Sequence, residues 1–344
     1  MTPVATSRLQ LIGAALLFST GGAAIKATAF EGWQIAGLRS GIAALALLLL
    51  IPAARRGWNR RVLLVGLAYA ATMILFVLAN RMTTAANTIF LQSTAPLYIL
   101  LLGPLLLGEK IRVRDAVFMG AVGVGLSCFF IGTEAPLATA PDPARGNVLA
   151  ALAGVTWAFT VMGLRWMGRE EGGGHALPTV VAGNLIACLV AVPWALPLPA
   201  VGAADIAIIG YLGVFQIGLA YLLLTRGIQR VGAFEASILL LAEPAFNPVW
   251  AWLLHGEVPG PWAALGGALI LTATAVKVGW DARLTRRERA AGASAPTAPQ
   301  EAAELRKDLA DAAEDEGGDD GLDDETGDHA EHGRSGQGRG NVES

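Results

Sequence analysis

The sequence predicts an all-α integral membrane protein of ten transmembrane helices, arranged as two inverted five-helix repeats with both termini in the cytoplasm. Three observations predict it. Hydrophobic residues make up 54% of the 344-residue chain and charged residues only 15%, against about 25% charged in an ordinary soluble domain. Ten apolar stretches approach membrane length. A proline, glycine and glutamate pattern also recurs at an offset of 148 residues.

A hydrocarbon core about 30 Å thick takes about 20 residues of helix. The stretches that approach this length are 9–29, 34–51, 62–79, 87–107 and 116–131, then 148–164, 179–196, 206–224, 236–254 and 262–278. The first is long, runs on into Lys26 and has no short cleavage pattern, so it reads as a retained helix and not as a signal peptide. Glycine is frequent throughout, as in closely packed membrane helices. Trp33, Trp58, Trp166, Trp194, Trp262 and Trp280 fall near stretch ends, where indole rings favour the membrane–water interface. Cys128 and Cys188 lie inside apolar runs and read as buried small hydrophobes.

Charge predicts the orientation. Residues 1–290 carry 21 Lys and Arg against 13 Asp and Glu, while residues 291–344 carry 4 against 15. If the first helix starts in the cytoplasm, Arg8, Arg55, Arg56, Arg60, Arg61, Lys110, Arg112, Arg114, Arg165, Arg169, Arg226 and Arg230 all fall inside. Only Lys26, Arg81 and Arg145 fall outside. That asymmetry satisfies the positive-inside rule. The acidic segment 285–344 has too few large apolar residues to offset the entropy of ordering, so it reads as a disordered cytoplasmic tail with a short helix at 301–316.

The repeat lies in APLYILLLGPLLLGE and EPAFNPVWAWLLHGE. Pro96 and Pro244 each precede a Gly-Glu pair by the same interval, Gly108-Glu109 and Gly256-Glu257. Five helices per copy is an odd number, so the second copy enters the membrane upside down. Inverted repeats are common in secondary transporters, with the substrate site between them near the midplane. The opening helices LLFSTGG and GVTWAF, Arg39 in GLRSG, and the proline-containing fourth helices ending in Gly-Glu together resemble EamA domains of the drug/metabolite transporter superfamily. The likeness covers a first repeat at 8–131 and a second at 148–280. What it implies is a ten-helix bundle with a central cavity. It also implies secondary transport of small organic metabolites, with export of amino acids or related compounds by alternating access the expected activity. The second copy departs from the pattern, having Asn184 and no arginine where the first has Arg39.

Ionisable groups inside a bilayer cost at least about 2.5 kcal/mol each and face a cavity or a partner. The candidates for substrate binding or coupling are Arg39, Glu243, Asn184, Gln216, Asn247 and Lys26. Arg39 offers a planar fork for a carboxylate or phosphate; the other reading is a strut between helices. Glu243 precedes Pro244, which removes a backbone donor and frees a carbonyl one turn earlier. Glu243 is thus a candidate for a proton, a cation or a substrate amine, or else for a salt bridge with Arg39 or a satisfied packing group. Lys26 reads as snorkelling to the outer interface, or as a group at the outer mouth of the pathway. Glu109 and Glu257 follow helix-ending glycines and read as caps for the next helix. The aromatics Phe18, Tyr69, Tyr98, Trp157, Tyr211, Tyr221 and Trp250 are candidate cavity walls or packing groups. His175 and His255 read as exposed single histidines.

The function classes narrow accordingly. The chain has no His-Glu-x-x-His, no Gly-x-Ser-x-Gly and no histidine cluster, so no enzyme, metal site or cofactor is expected. Gly-Lys never occurs, which excludes a Walker A loop. A gated channel is the alternative to a carrier, and a polytopic membrane enzyme comes after it. The expected partners are the lipid bilayer of the plasma or inner membrane and a small solute, with a proton as a candidate coupling ion; no nucleic acid is expected.

Overall fold

The computed structural model describes residues 3–107, 112–131, 135–171, 174–231 and 233–294. Gly108 and Glu109 lie outside the described residues, as do the tail beyond 294 and its expected helix.

Ten helical spans among the described residues are long and apolar enough to cross a membrane. Span 1, Pro3–Lys26, consists of α1 (Pro3–Ser19) and α2 (Gly21–Lys26). Spans 2 and 3 are α3 (Gly32–Leu50) and α4 (Arg60–Met82). Span 4 is made of α5 (Ala85–Gln92) and α6 (Ala95–Leu107), and span 5 is α7 (Val113–Ile131). Span 6 lies in α8 (Pro143–Glu171) and span 7 is α9 (Ala176–Ala195). Span 8 joins α10 (Ala203–Tyr211), a π-helical stretch (Leu212–Leu219) and α11 (Ala220–Gly227). Span 9 joins α12 (Ala233–Leu240) and α13 (Ala242–His255), and span 10 lies in α14 (Pro261–Ser294). Every expected stretch corresponds to one span. The expected ends shift by several residues, because the helical hydrogen-bond ladder runs on through polar interfacial residues that hydropathy leaves out.

Three spans are broken, each for a local reason. In span 1, Thr20 turns its hydroxyl back on the Leu17 carbonyl at 2.7 Å, and two glycines follow. In span 4, Pro96 cannot donate to Gln92, and the chain breaks between α5 and α6. In span 9, Pro244 likewise leaves Leu240 without its amide, and the break falls at Leu241. The span 4 and span 9 breaks keep the sequence offset: α5 starts at Ala85 and α12 at Ala233. Gly256 ends α13 at φ 66°, a left-handed cap that favours glycine.

The spans run alternately up and down, which defines two ends. At the Lys26 end, Asp205 at the start of span 8 accepts from the Ala29 amide at 2.8 Å, and Gln34 at the start of span 2 reaches the Ala195 carbonyl at 3.2 Å. At the Arg8 end, Arg61 lies 4.7 Å over the Trp166 ring, and Lys277 of span 10 pairs with Asp115 of span 5 at 2.9 Å. Span 1 therefore starts at the Arg8 end and span 6 at the Lys26 end. In the interior, spans 3 and 7 pack closely: a Cβ on Gly183 would lie 2.4 Å from the Tyr69 ring and 2.9 Å from the Gly66 carbonyl oxygen.

Candidate functional site

A cavity of about 270 Å³ lies inside the bundle. The broken helices contribute to its wall: Gln92 and Ser93 from span 4, Leu240 and Glu243 from span 9. Gln216 comes from the π-helical stretch of span 8, where an irregular turn re-aims a side chain. Arg39 enters from span 2 and Trp157 from span 6. Four of the seven candidate aromatics form a chain of rings beside it. Phe18 meets Tyr221 edge-on at 5.1 Å, Tyr221 meets Tyr69 at 5.9 Å, and Tyr69 meets Trp157 at 6.5 Å.

Arg39 is 1% exposed, yet its guanidinium is poorly satisfied. Nη2 lies 3.5 Å from the Met73 carbonyl and 3.5 Å from its sulfur, and Nε and Nη1 have no hydrogen-bond partner among the described residues. Glu243 faces the same cavity and forms neither an ion pair nor a hydrogen bond with any described residue. The Arg39–Glu243 salt bridge, one of the sequence readings, is not among the ion pairs of the described residues. A guanidinium and a carboxyl group thus line one cavity without bonding to each other.

The neutral candidates divide. Gln216 lines the cavity, donating to the Phe18 carbonyl at 3.4 Å while its Oε1 has no partner among the described residues. Asn184 sits behind the wall, bonded to the Val180 carbonyl at 2.8 Å and to the Tyr69 hydroxyl at 3.4 Å, so it holds a ring in place. Asn247 is fully buried against Gly22, with neither amide atom hydrogen-bonded to a described residue. It lies one turn beyond Glu243 on α13, toward the Lys26 end. Tyr211 and Trp250, expected as wall or packing groups, instead bond to span 1: Tyr211 to the Thr20 hydroxyl at 2.8 Å and Trp250 to the Ser19 hydroxyl at 2.9 Å. Tyr98 packs with Ala95, Ala158 and Met162.

Lys26 does not snorkel. Its side chain is 2% exposed, pairs with Glu257 at 2.8 Å, and donates to the carbonyls of Thr83 and Thr139. The reason is tertiary: three acceptors surround it before it can reach water. Glu257 caps a helix, but not the next one. Its Oε2 accepts the Ala85 amide at 3.0 Å, at the start of α5 in the first half of the chain. Two features of the Lys26 end were not read from the sequence. Thr83, Asn87 and Asn147 form a buried hydrogen-bond cluster at the Lys26 end, with Asn147 anchored to the Phe129 carbonyl at 2.9 Å. His255, expected to be exposed, lies 2.8 Å from the Ala23 carbonyl. The signal available was topological: residues ending spans 1, 3 and 9 must meet at one end.

The family model described as "EamA-like transporter family" matches residues 7–133 and again 144–278. No curated protein matches the chain. A solved structure described as "Crystal structure of protein" is similar in fold, with a TM-score of 0.54 at 20% identity over 81% of this chain and 99% of that one.

Proposed function

This chain belongs to the EamA-like transporter family, and from that premise we propose that it carries a small zwitterionic metabolite, such as an amino acid, by alternating access. The observation behind this reading is that Arg39, with two nitrogens unpartnered among the described residues, and Glu243 line one cavity without bonding to each other. Burying an uncompensated guanidinium and carboxylate is costly, and a solute bearing a carboxylate and an amine would compensate both. The Arg39 fork matches a carboxylate bidentately. Glu243 takes the amine, or a proton when the solute is absent. A volume of about 270 Å³ is below the roughly 300 Å³ at which drug-sized pockets begin, which favours a small metabolite.

The two family matches start at opposite ends of the bundle, span 1 at the Arg8 end and span 6 at the Lys26 end. This supports the inverted-repeat reading, and the basic loops support the Arg8 end, with both termini, as cytoplasmic. Export from the cytoplasm, which the family resemblance implies, is the working direction. A carrier is favoured over a channel because the polar groups at the Lys26 end are buried and bonded to one another.

The test is counterflow in proteoliposomes with three solutes of one skeleton: an amino acid, its decarboxylated amine and its deaminated acid. Saturable exchange of the amino acid with much weaker exchange of the other two is expected. Equal exchange of all three would remove the two-charge site. Conductance without saturation would replace the carrier with a channel.

A further inference from the structure

Spans 1 and 9 are tied together at both ends of the cavity, but the two ties are unlike. At the Arg8 end, the Arg8–Glu235 pair stands in the open, its side chains 52% and 38% exposed. Such pairs are screened and contribute little. At the Lys26 end, the Lys26–Glu257 pair is 2% and 3% exposed. Separating a buried pair leaves each charge uncompensated unless water enters.

The buried tie is also anchored on both sides. Lys26 spends its ammonium on Glu257 and on the carbonyls of Thr83 and Thr139. Glu257 places its other oxygen on the Ala85 amide, where the α5 dipole favours an anion. One pair therefore joins the ends of spans 1, 3 and 9, the start of span 4, and the segment before span 6. Below it, α13 meets α2 through His255 on the Ala23 carbonyl, and it meets the last residue of α1 through Trp250 on Ser19.

We propose that Lys26–Glu257 is the latch that closes the Lys26 end of the cavity. Transport then requires Glu257 to leave both Lys26 and the start of α5. The inference rests on the alternating-access reading. The breaks at Thr20, between Gln92 and Ala95, and at Leu241 place a hinge in each of spans 1, 4 and 9. The half-spans α2, α5 and α13 can thus swing while α1, α6 and α12 hold. An ion pair suits a latch that opens into water, because hydration takes over both charges as they part, whereas an apolar plug would expose its surface.

The test uses Ser93→Cys, which puts a thiol on the cavity wall, in a protein carrying Cys128→Ala and Cys188→Ala. A membrane-impermeant methanethiosulfonate is applied from the Lys26 face. With the pair intact, labelling from that face is slow. Glu257→Gln keeps an acceptor for the Ala85 amide and removes the charge. It should speed labelling by about tenfold, the equivalent of about 1.4 kcal/mol, and so should Lys26→Met combined with Glu257→Gln. The swap Lys26→Glu with Glu257→Lys should label fast too, because it sets a cation against the α5 N terminus and an anion against two carbonyls. Slow labelling restored by the swap would place the closure in the ion pair alone and overturn the part given to the α5 N terminus and the two carbonyls. Unchanged labelling in both Glu257→Gln and the Lys26→Met, Glu257→Gln protein, with normal melting, would overturn the latch. Failure of the underlying reading looks different: fast labelling from both faces with the pair intact, or no counterflow.

Discussion

Gly22 in the first span and Asn247 in the ninth pack so closely that a Cβ on the glycine would lie 2.8 Å from the amide oxygen and 2.9 Å from Ala85 Cβ. Asn247 is fully buried and cannot step aside into water. This contact sits between the cavity and the Lys26–Glu257 pair, where α2 and α13 must separate if the closed end is to open.

The first prediction follows from that contact. Gly22→Ala should lower stability by about 1–3 kcal/mol through overpacking, read as a lower melting temperature of the purified protein. Combining it with Asn247→Ala should recover only part of the loss, because Ala85 remains in the way. Asn247→Ala alone should melt at or above the parent temperature, since it deletes two polar atoms that have no partner among the described residues. A loss of about 2 kcal/mol instead would mean that a water or solute is bound to that amide.

Arg39 yields the second prediction. Two of its three guanidinium nitrogens, Nε and Nη1, are unpartnered among the described residues, so N–H donors remain for a solute. Arg39→Lys preserves charge but not the fork. Apparent affinity for a carboxylated solute should fall about tenfold, or about 1.4 kcal/mol, with a much smaller change for a neutral analogue. Equal losses for both would assign Arg39 to the gating motion or the fold.

For Glu243, the missing ion pair makes a sharp test possible. Glu243→Gln is nearly isosteric and breaks no salt bridge, so melting should change by less than about 0.5 kcal/mol. Gradient-driven accumulation should be lost, while solute exchange persists with a weaker apparent affinity for the amine-bearing solute. No rescue is expected from adding Arg39→Gln, because the two side chains do not support each other. Normal accumulation by the glutamine variant would remove this carboxyl from coupling.

Orientation is tested by single cysteines in the Cys128→Ala, Cys188→Ala protein. Gly57 has a φ of 76°, which strains any side chain, so the probe for that loop belongs at Arg56, with its counterpart at Ala144. Intact cells should label Ala144→Cys with an impermeant maleimide and leave Arg56→Cys unreacted until permeabilised. Labelling of both from outside would remove the ten-span topology, and the reverse pattern would invert it.

The ten spans were legible in the sequence because crossing a bilayer is a local demand: about 20 consecutive apolar residues whose backbone groups bond within their own helix. The break before Pro244 and the left-handed cap at Gly256 were legible for the same reason, since a missing amide and a missing Cβ act within one turn. Arg39, Gln216 and Glu243 could be singled out by cost alone, as polar groups that lipid will not accept. Their rotational positions could not be read. Asn184, Gln216 and Asn247 look equivalent in sequence, yet one braces Tyr69, one lines the cavity and one is walled in by Gly22. Lys26 illustrates the limit best. A lysine at a span end reads as reaching for water, and only the tertiary structure brings Glu257, Thr83 and Thr139 around it. Hydropathy reports how deep a residue lies along its own helix; which neighbours surround it is set by how the other nine pack.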